Sequence, residues 1–187
     1  MTLAVTMIHE SSYWKHALIR QVAILRGKLE QRSWRDSSFA RLEQAIMLGS
    51  YIVRKLAESK KISEKVYQHP LKMRAFAATG EVVTLLNNHR INDLYHLKSG
   101  RSITKPLSHV ANQMIHSYVF VPIFETRTQI FGVAFNSDRS KQTDLYMIGL
   151  EEIISVFSRC ANYYAQSMTV FRINDGSGFE VVLDDDR

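Results

Sequence analysis

The strongest periodic pattern of apolar residues lies between residues 36 and 59. Apolar side chains recur there at steps of three and four residues or their sums, at Phe39, Leu42, Ile46, Val53 and Leu56. This spacing places them on one face of an α-helix. A second set widens that face, namely Ala45, Met47, Leu48, Tyr51 and Ile52. A face this wide is typical of a helix covered on more than one side, so the segment is predicted to be the central helix of the core. Gly49 in its middle is either a close-packing point or simply a weak position in the helix.

Residues 13–32 carry a second helical pattern, which ends just before the first one begins. Its apolar stripe consists of Trp14, Leu18, Val22, Leu25 and Leu29. The basic residues of this segment lie largely off the stripe, at Lys15, Arg26, Lys28 and Arg32. Because only residues 33–35 connect the two patterns, the helices must run antiparallel and form a helical hairpin.

The middle of the chain, residues 69–116, is predicted to be mixed and mainly helical. Residues 71–79 carry only weak signals for either a helix or a strand, without a clean alternation. A third helix is predicted over residues 81–97, and its unusual polar middle makes a bend or two short helices the alternative. Residues 99–102 are predicted to be a loop, and a short helix is predicted over residues 107–116, where Pro106 suits the first turn.

From residue 117 onward the apolar period changes to about two, which indicates strands. Strands are predicted at residues 118–124, 129–136 and 145–148, then a helix at 150–164 and two more strands at 168–173 and 179–183. Helices and strands that segregate in this way point to one α+β domain over residues 1–187. It would consist of a helical hairpin (1–68), the mixed middle (69–116) and an antiparallel sheet of about five strands crossed by one helix (117–187).

The composition indicates in which cellular environment the chain is expected to work. The chain has 187 residues and a single cysteine, Cys160, so it cannot form an internal disulfide. A cytoplasmic location is expected on that ground, with Cys160 as a packing residue. No apolar run approaches the roughly 20 residues of a membrane span, so no membrane association is expected.

The net charge of +6 is unevenly distributed along the chain. Residues 1–110 contain 18 Lys and Arg against 8 Asp and Glu, whereas residues 111–187 contain 6 against 10. A basic half can attract nucleic acid or an acidic partner. The other interpretation is that solvated helices simply favour Lys and Arg, since no dense basic run occurs.

Four stretches resemble a group of uncharacterised small bacterial proteins, some of them carried on mobile DNA such as integron gene cassettes. They are IVRKLAESKKIS (52–63), NNHRINDLYHL (87–97), NQMIHSYVFVP (112–122) and SDRSKQTDLYMI (137–148), and together they span about half of the chain. The resemblance implies a bacterial accessory protein. It assigns no activity and no site residue.

The first candidate site is a polar segment that contains Arg90, Asn92 and His96. An Arg followed six residues later by a His resembles the active motif of small helical ribonucleases of the HEPN type. In such a site His takes the 2′-hydroxyl proton, while Arg, aided here by Asn92, holds the phosphate. The other interpretation is a solvated or cap-forming polar segment without chemistry.

Asn112 and His116 form the second candidate group, because a spacing of four places them on one face of a short helix. They could hydrogen-bond to nearby backbone, or they could face Arg90 and His96 across a cleft. The polar residues 136–139 at a strand end are either functional or an ordinary loop. His89, Asp93 and His96 have facing spacing in two pairs but form no known zinc pattern, so neither a metal nor a cofactor is expected.

These observations favour a non-enzymatic binding or interaction module, with a protein partner as one option. A metal-independent ribonuclease that uses Arg90 and His96 is the alternative, and nucleic-acid binding through the basic half is the third hypothesis. A two-fold homodimer is also predicted. Its interface would be an exposed edge of the C-terminal hairpin or the wide apolar face of the helix over residues 36–59.

Overall fold

The structure, a computed structural model, describes residues 10–172 and 179–184 and belongs to the α+β class. The helices and strands follow one another as α1 (Ser11–Glu30), α2 (Asp36–Glu58), α3 (Glu64–Tyr67), β1 (Pro70–Ala77), α4 (Ile91–Leu94), β2 (Arg101–Pro106), α5 (Leu107–Ile115), β3 (Ser117–Phe124), β4 (Ile130–Ser137), β5 (Asp144–Gly149), α6 (Leu150–Ala161), β6 (Ser167–Arg172) and β7 (Phe179–Asp184). A 3₁₀ turn, Leu97–Ser99, lies between α4 and β2.

The two N-terminal helices form the predicted hairpin. Their apolar stripes face each other and are buried, with Leu18, Val22 and Leu25 on α1 against the core side of α2. The backbone N–H of Ser12 donates to the Glu10 carboxylate at 2.9 Å, which caps the start of α1. Helix α6 packs against the hairpin and also against the sheet, so it joins the two layers.

Two details of the hairpin differ from the sequence prediction. The widened face of α2 is incompletely covered, because Leu48 and Tyr51 keep 51% and 43% of their surface exposed. Conversely, Lys15 and Lys28 on α1 are buried, although they lie beside the apolar stripe rather than in it. A lysine can bury its methylene stem along an apolar surface as long as its ammonium group finds a partner.

The main sheet has five strands in the order β2-β1-β5-β4-β3, and every neighbouring pair is antiparallel. The number of strands matches the prediction, but their identity does not. Strands β1 and β2 come from the middle segment, which was predicted to be mixed and mainly helical. The C-terminal strands β6 and β7 form a separate two-stranded ribbon, and residue 173, the predicted end of the first of them, lies outside the described residues.

Strand β1 has the alternating burial of a strand, although few of its residues are typical of strands. Along the first half of this strand buried side chains, Leu71, Met73 and Ala75, alternate with exposed ones, Lys72 and Arg74. Alanine, methionine and arginine are poor strand formers on their own. The strand forms because β2 and β5 flank it on both sides, and that pairing is set by distant parts of the chain.

The prediction of one helix over residues 81–97 is wrong, because the structure forms no continuous helix there. Within this segment the structure has turns, the four-residue helix α4 and a β-bridge between Tyr95 and Ala78. The Asn87 side chain accepts from the backbone N–H of Thr84 at 2.7 Å and so competes with helical hydrogen bonding. Leu85 and Leu86 are 77% and 88% exposed, so their apolar spacing does not reflect a buried helix face.

Two apolar cores lie on opposite faces of the sheet. The larger one joins the hairpin, α5 and α6 to one face, where Val133 and Phe135 point. The smaller one lies on the other face under residues 78–97, where Ala134 packs with Leu94 and Tyr95. Successive residues of β4 therefore serve different cores, as expected for a strand buried on both faces.

Within the described residues, no helix has the length and apolar character needed to cross a membrane.

Cys160 lies on α6 and is fully buried in the larger core. Burial raises the pKa of its thiol to about 12, because the thiolate form would be desolvated. A thiol in this state is a small apolar packing group, as the sequence predicted, and not a nucleophile.

Gly49 lies where α2 meets α6, and an added methyl group there would fall on the ring of Phe157. We expect Gly49→Ala to destabilise the protein, because overpacking costs about 1–3 kcal/mol and the gain in helix propensity is only about 1 kcal/mol. Urea unfolding followed by far-ultraviolet circular dichroism measures the difference.

Gly27→Ala is the matched control, since Gly27 lies inside α1 and a methyl group there has open space. It should leave stability unchanged or raise it by up to about 1 kcal/mol. A Gly49→Ala variant as stable as Gly27→Ala would show that the two helices do not pack as described.

Candidate functional site

The antiparallel order of the sheet brings several polar connections to one end. The first residue of β3, the last of β4 and the first of β5 all lie at this end, as Ser117, Ser137 and Asp144. The last residue of β1, Ala77, pairs with Asp144 at the same end. We call it the loop end, because the connections that follow β1 and β4 and that precede β3 all meet there.

The loop end contains an open cleft of about 410 Å³, which we call the loop-end cleft. Three elements supply its walls: the last turns of α2, the end of α5 and the connection after β4. The lining side chains are Arg54, Asn112, Gln113, His116, Ser137, Asp138 and Arg139.

Gln113 ties the connection after β4 to α5. Its side-chain oxygen accepts from the backbone N–H of Ser137 at 2.9 Å and from the hydroxyl of Ser140 at 2.7 Å. The Ser140 hydroxyl also contacts the Ser137 N–H at 3.1 Å. These bonds hold two walls of the cleft at a set spacing, so Asp138 and Arg139 project from a fixed turn.

A buried polar network supports the same connection from beneath. The Tyr95 hydroxyl donates to the backbone carbonyl of Lys141 at 2.8 Å and accepts from the Asn136 side-chain amide at 2.7 Å. That amide also donates to the carbonyl of Asp144 at 3.1 Å. Burial raises the pKa of Tyr95, so the hydroxyl stays protonated and keeps donating.

The charges of the cleft are only partly compensated. Arg54 pairs with Glu58 at 2.7 Å, and this hydrogen bond lowers the pKa of the Glu58 carboxyl. Asp138 pairs with Lys141 at 2.6 Å, and that hydrogen bond raises the pKa of Lys141. Within the described part of the chain, Arg139 has neither an ion pair nor a hydrogen bond.

The arrangement is suited to holding an anion. A guanidinium group presents a planar set of donors that matches a carboxylate or a phosphate. Arg54 and Arg139 reach the cleft from different elements, and His116 and Asn112 add further polar groups between them.

The predicted residues Asn112 and His116 both lie in this cleft and are exposed. The walls around them are formed by Arg54 and residues 137–139, and Arg90 and His96 do not line the cleft. The structure therefore does not bring the two groups together in one cleft, which was one of the two alternatives for Asn112 and His116. The physical reason is that Arg90 and His96 belong to a segment that crosses the opposite face of the sheet.

Arg90, Asn92 and His96 are not arranged on one helix. Arg90 precedes the short α4 and pairs with Asp93 at 2.9 Å, and Asn92 is an exposed residue of α4. His96 lies beyond α4, and its backbone N–H donates to the carbonyl of Ala77 at 2.9 Å. The ribonuclease hypothesis thus loses the helix on which it was based, and it stays a prediction.

Sequence reasoning missed both arginines of the cleft as site residues. Arg139 lies in the polar stretch 136–139 that was singled out, but nothing distinguished it from its neighbours. Arg54 looks like an ordinary basic residue near a helix end. No spacing in the sequence relates it to Arg139, because their proximity results from packing α2 beside α5 and the sheet.

Across residues 10–172 and 179–184, no three or more His, Cys, Asp or Glu side chains are grouped so that they could hold a metal ion. His89, Asp93 and His96 are included in that range.

Comparison with known proteins gives no match to a protein-family model, to a curated protein or to a solved structure.

The network beneath the cleft gives a testable prediction. Tyr95→Phe removes the hydroxyl but keeps the ring, which leaves the Lys141 carbonyl and the Asn136 amide without that partner. We expect a loss of about 1–3 kcal/mol in the free energy of unfolding, the cost of buried polar groups left unpaired. Urea denaturation measures it.

Tyr13→Phe is the control, because Tyr13 is largely exposed on α1. It should leave the free energy of unfolding within about 0.5 kcal/mol of the parent protein. Equal effects of the two substitutions would mean that the Tyr95 hydroxyl does not support the connection after β4.

Proposed function

We propose that the protein is a non-enzymatic binding module whose loop-end cleft holds a carboxylate of an acidic protein partner. The observation that carries the proposal is the convergence of Arg54 and Arg139 on one cleft, with Arg139 lacking an ionic partner within the described residues. An acidic side chain supplies the group that a guanidinium pairs with best.

Two further features favour a carboxylate over a more highly charged ligand. Asp138 also lines the cleft, so a ligand with two negative charges would meet an acidic group there. Asn112 and Gln113 bring amide groups to the same walls, and amides suit the polar backbone of a peptide. A single carboxylate with its neighbouring peptide groups fits both conditions.

The proposal also includes a cytoplasmic place of action for a bacterial accessory protein. The support is compositional, since the single cysteine is a buried packing residue and no disulfide stabilises the chain.

A titration of the isotopically labelled full chain with an acetylated di-glutamate peptide tests the cleft. The amide resonances of Asn112, His116 and Arg139 should shift on addition of the peptide. Arg139→Gln should weaken the affinity at least about tenfold, because a charged hydrogen bond is worth about 1.5–3 kcal/mol.

Arg127→Gln is the matched control, since Arg127 is an exposed arginine in the connection between β3 and β4. It should leave the affinity unchanged. The proposal fails if the peptide shifts none of the three resonances, or if both arginine variants weaken binding equally.

We further propose that two copies associate through the ribbon of β6 and β7, as a two-fold dimer. The ribbon exposes Met168, Val170 and Phe171 on β6 and Val182 on β7. A two-stranded ribbon is marginally stable in water by itself, and free strand edges invite pairing. Association would cover these side chains, and closed two-fold assemblies are the commonest kind.

Light scattering after size exclusion tests the dimer at micromolar concentration. The expected mass is twice the 21.6 kDa of one chain, and Phe171→Asp should reduce it to that of a single chain. Leu85→Asp, which changes an exposed leucine outside the ribbon, should leave the dimer intact. A parent protein that elutes as a monomer would refute the association.

A further inference from the structure

A second basic surface lies at the turn of the helical hairpin, at the other end of α2. It is a shallow concavity of about 630 Å³ that we call the hairpin basin. Its cations are Lys28, Arg35 and Arg41, and its hydroxyl groups are those of Ser33, Ser37 and Ser38. Ser37 and Arg54 are separated by 17 residues of one helix, so the basin lies about 25 Å from the loop-end cleft.

Lys28 is an unusual member of this cluster, because it is only 6% exposed. Its ammonium group donates to the side-chain oxygen of Gln31 at 2.8 Å and lies 5.4 Å from the centre of the Trp34 ring. Both partners are neutral. Within residues 10–172 and 179–184, none of the three basin cations forms an ion pair.

A partly buried charge without a counter-ion is costly, and neighbouring like charges add to that cost. Burial and then the Arg41 charge lower the pKa of Lys28. Among the residues that the structure describes, no carboxylate lines the basin, and the nearest acidic residues in sequence, Glu30 and Asp36, lie outside its lining. An anion that enters the basin would therefore reduce the repulsion between Lys28 and Arg41. Lysines scattered over a surface have no such repulsion for an anion to reduce.

The turn that carries the basin is held in place by the contacts of Trp34. The Trp34 indole N–H donates to the carbonyl of Thr128 at 2.8 Å, which ties the turn to the connection after β3. The Trp34 ring stacks on Phe39 at 5.3 Å between centroids and meets Phe124 edge-on at 5.1 Å. Cations held by such a turn are positioned before a ligand arrives, which lowers the entropic cost of binding.

We propose that the hairpin basin is a binding site for a phosphate-type dianion, held by Lys28, Arg35 and Arg41. Three cations without an acidic lining residue suit two negative charges, whereas the cleft, with Asp138 in its wall, suits one. The serine hydroxyls can donate to further phosphate oxygens. The basin is open, so the phosphate can be free or terminal on a larger molecule, because both of these forms carry two negative charges at about pH 8.

Titration of the full chain with inorganic phosphate at about pH 8, where the dianion predominates, tests the site. Chloride at matched ionic strength serves as the reference. The Ser37 and Ser38 amide resonances should shift, and the pKa of the Lys28 ammonium group, followed by NMR of labelled lysine, should rise, because a bound anion favours the charged form.

Arg41→Gln changes an exposed side chain and should weaken phosphate binding at least about tenfold. Lys28→Met, which keeps the buried stem, should do the same. Arg26→Gln, an exposed arginine on α1 outside the basin, and Arg139→Gln in the cleft should leave phosphate affinity unchanged. Failure of phosphate to shift the two serine resonances, or equal losses from Arg41→Gln and Arg26→Gln, overturns the proposal.

Two single-stranded RNA oligonucleotides of the same sequence, with and without a 5′-phosphate, identify the source of the phosphate. Tighter binding of the phosphorylated strand, lost in Arg41→Gln, assigns the basin to a terminal phosphate. Equal binding of both strands that falls steeply with salt and is lost in Arg41→Gln would show that the basin holds singly charged backbone phosphates, which overturns its assignment to a dianion. Binding of either strand that Arg41→Gln does not weaken places nucleic acid elsewhere and counts against the basin.

Discussion

The contact between Phe157 and Gly49 determines how the two halves of this fold meet. Phe157 is buried on α6, and its ring occupies the space that a side chain at position 49 would need. The close approach allows α6 to lie against the hairpin on one side and against β4 and β5 on the other. Helix α2 also packs against α5, and its last turns bring Arg54 to the cleft that Arg139 lines.

Helices and strands whose own residues show a clear apolar periodicity could be predicted from the sequence. Those that form only because distant segments pair with them could not. Helices α1, α2, α5 and α6 carry long or well-bounded apolar stripes, and β3, β4 and β5 alternate or are wholly apolar. Strand β1 has a single strong strand former, Phe76, and exists because β2 and β5 pair with it. In residues 81–97 the error is the opposite one, because a local pattern predicted a helix that does not form. The leucines there have helical spacing, but the Asn87 side chain accepts the hydrogen bond of the Thr84 backbone N–H and so replaces a helical bond.

The residues of the cleft show the same difference between local signals and distant partners. Asn112 and His116 could be predicted because a spacing of four within one short helix is a local property. Their neighbours in the cleft come from α2 and from the connection after β4, and only the packed structure relates them. The buried Lys28 is similar, since its burial follows from the position of Trp34 against the sheet and not from the pattern of α1.

The joint role of α6 also sets an order of events during synthesis. The hairpin is local and is complete once residue 58 has been made, whereas its covering helix begins at residue 150. For the roughly 90 residues between them, which take several seconds to translate, the α2 surface around Gly49 faces water or another molecule. The nascent chain must therefore keep an apolar surface from aggregating until its own later segment arrives. The protein's yield in a cell can depend on that interval as much as on its final stability.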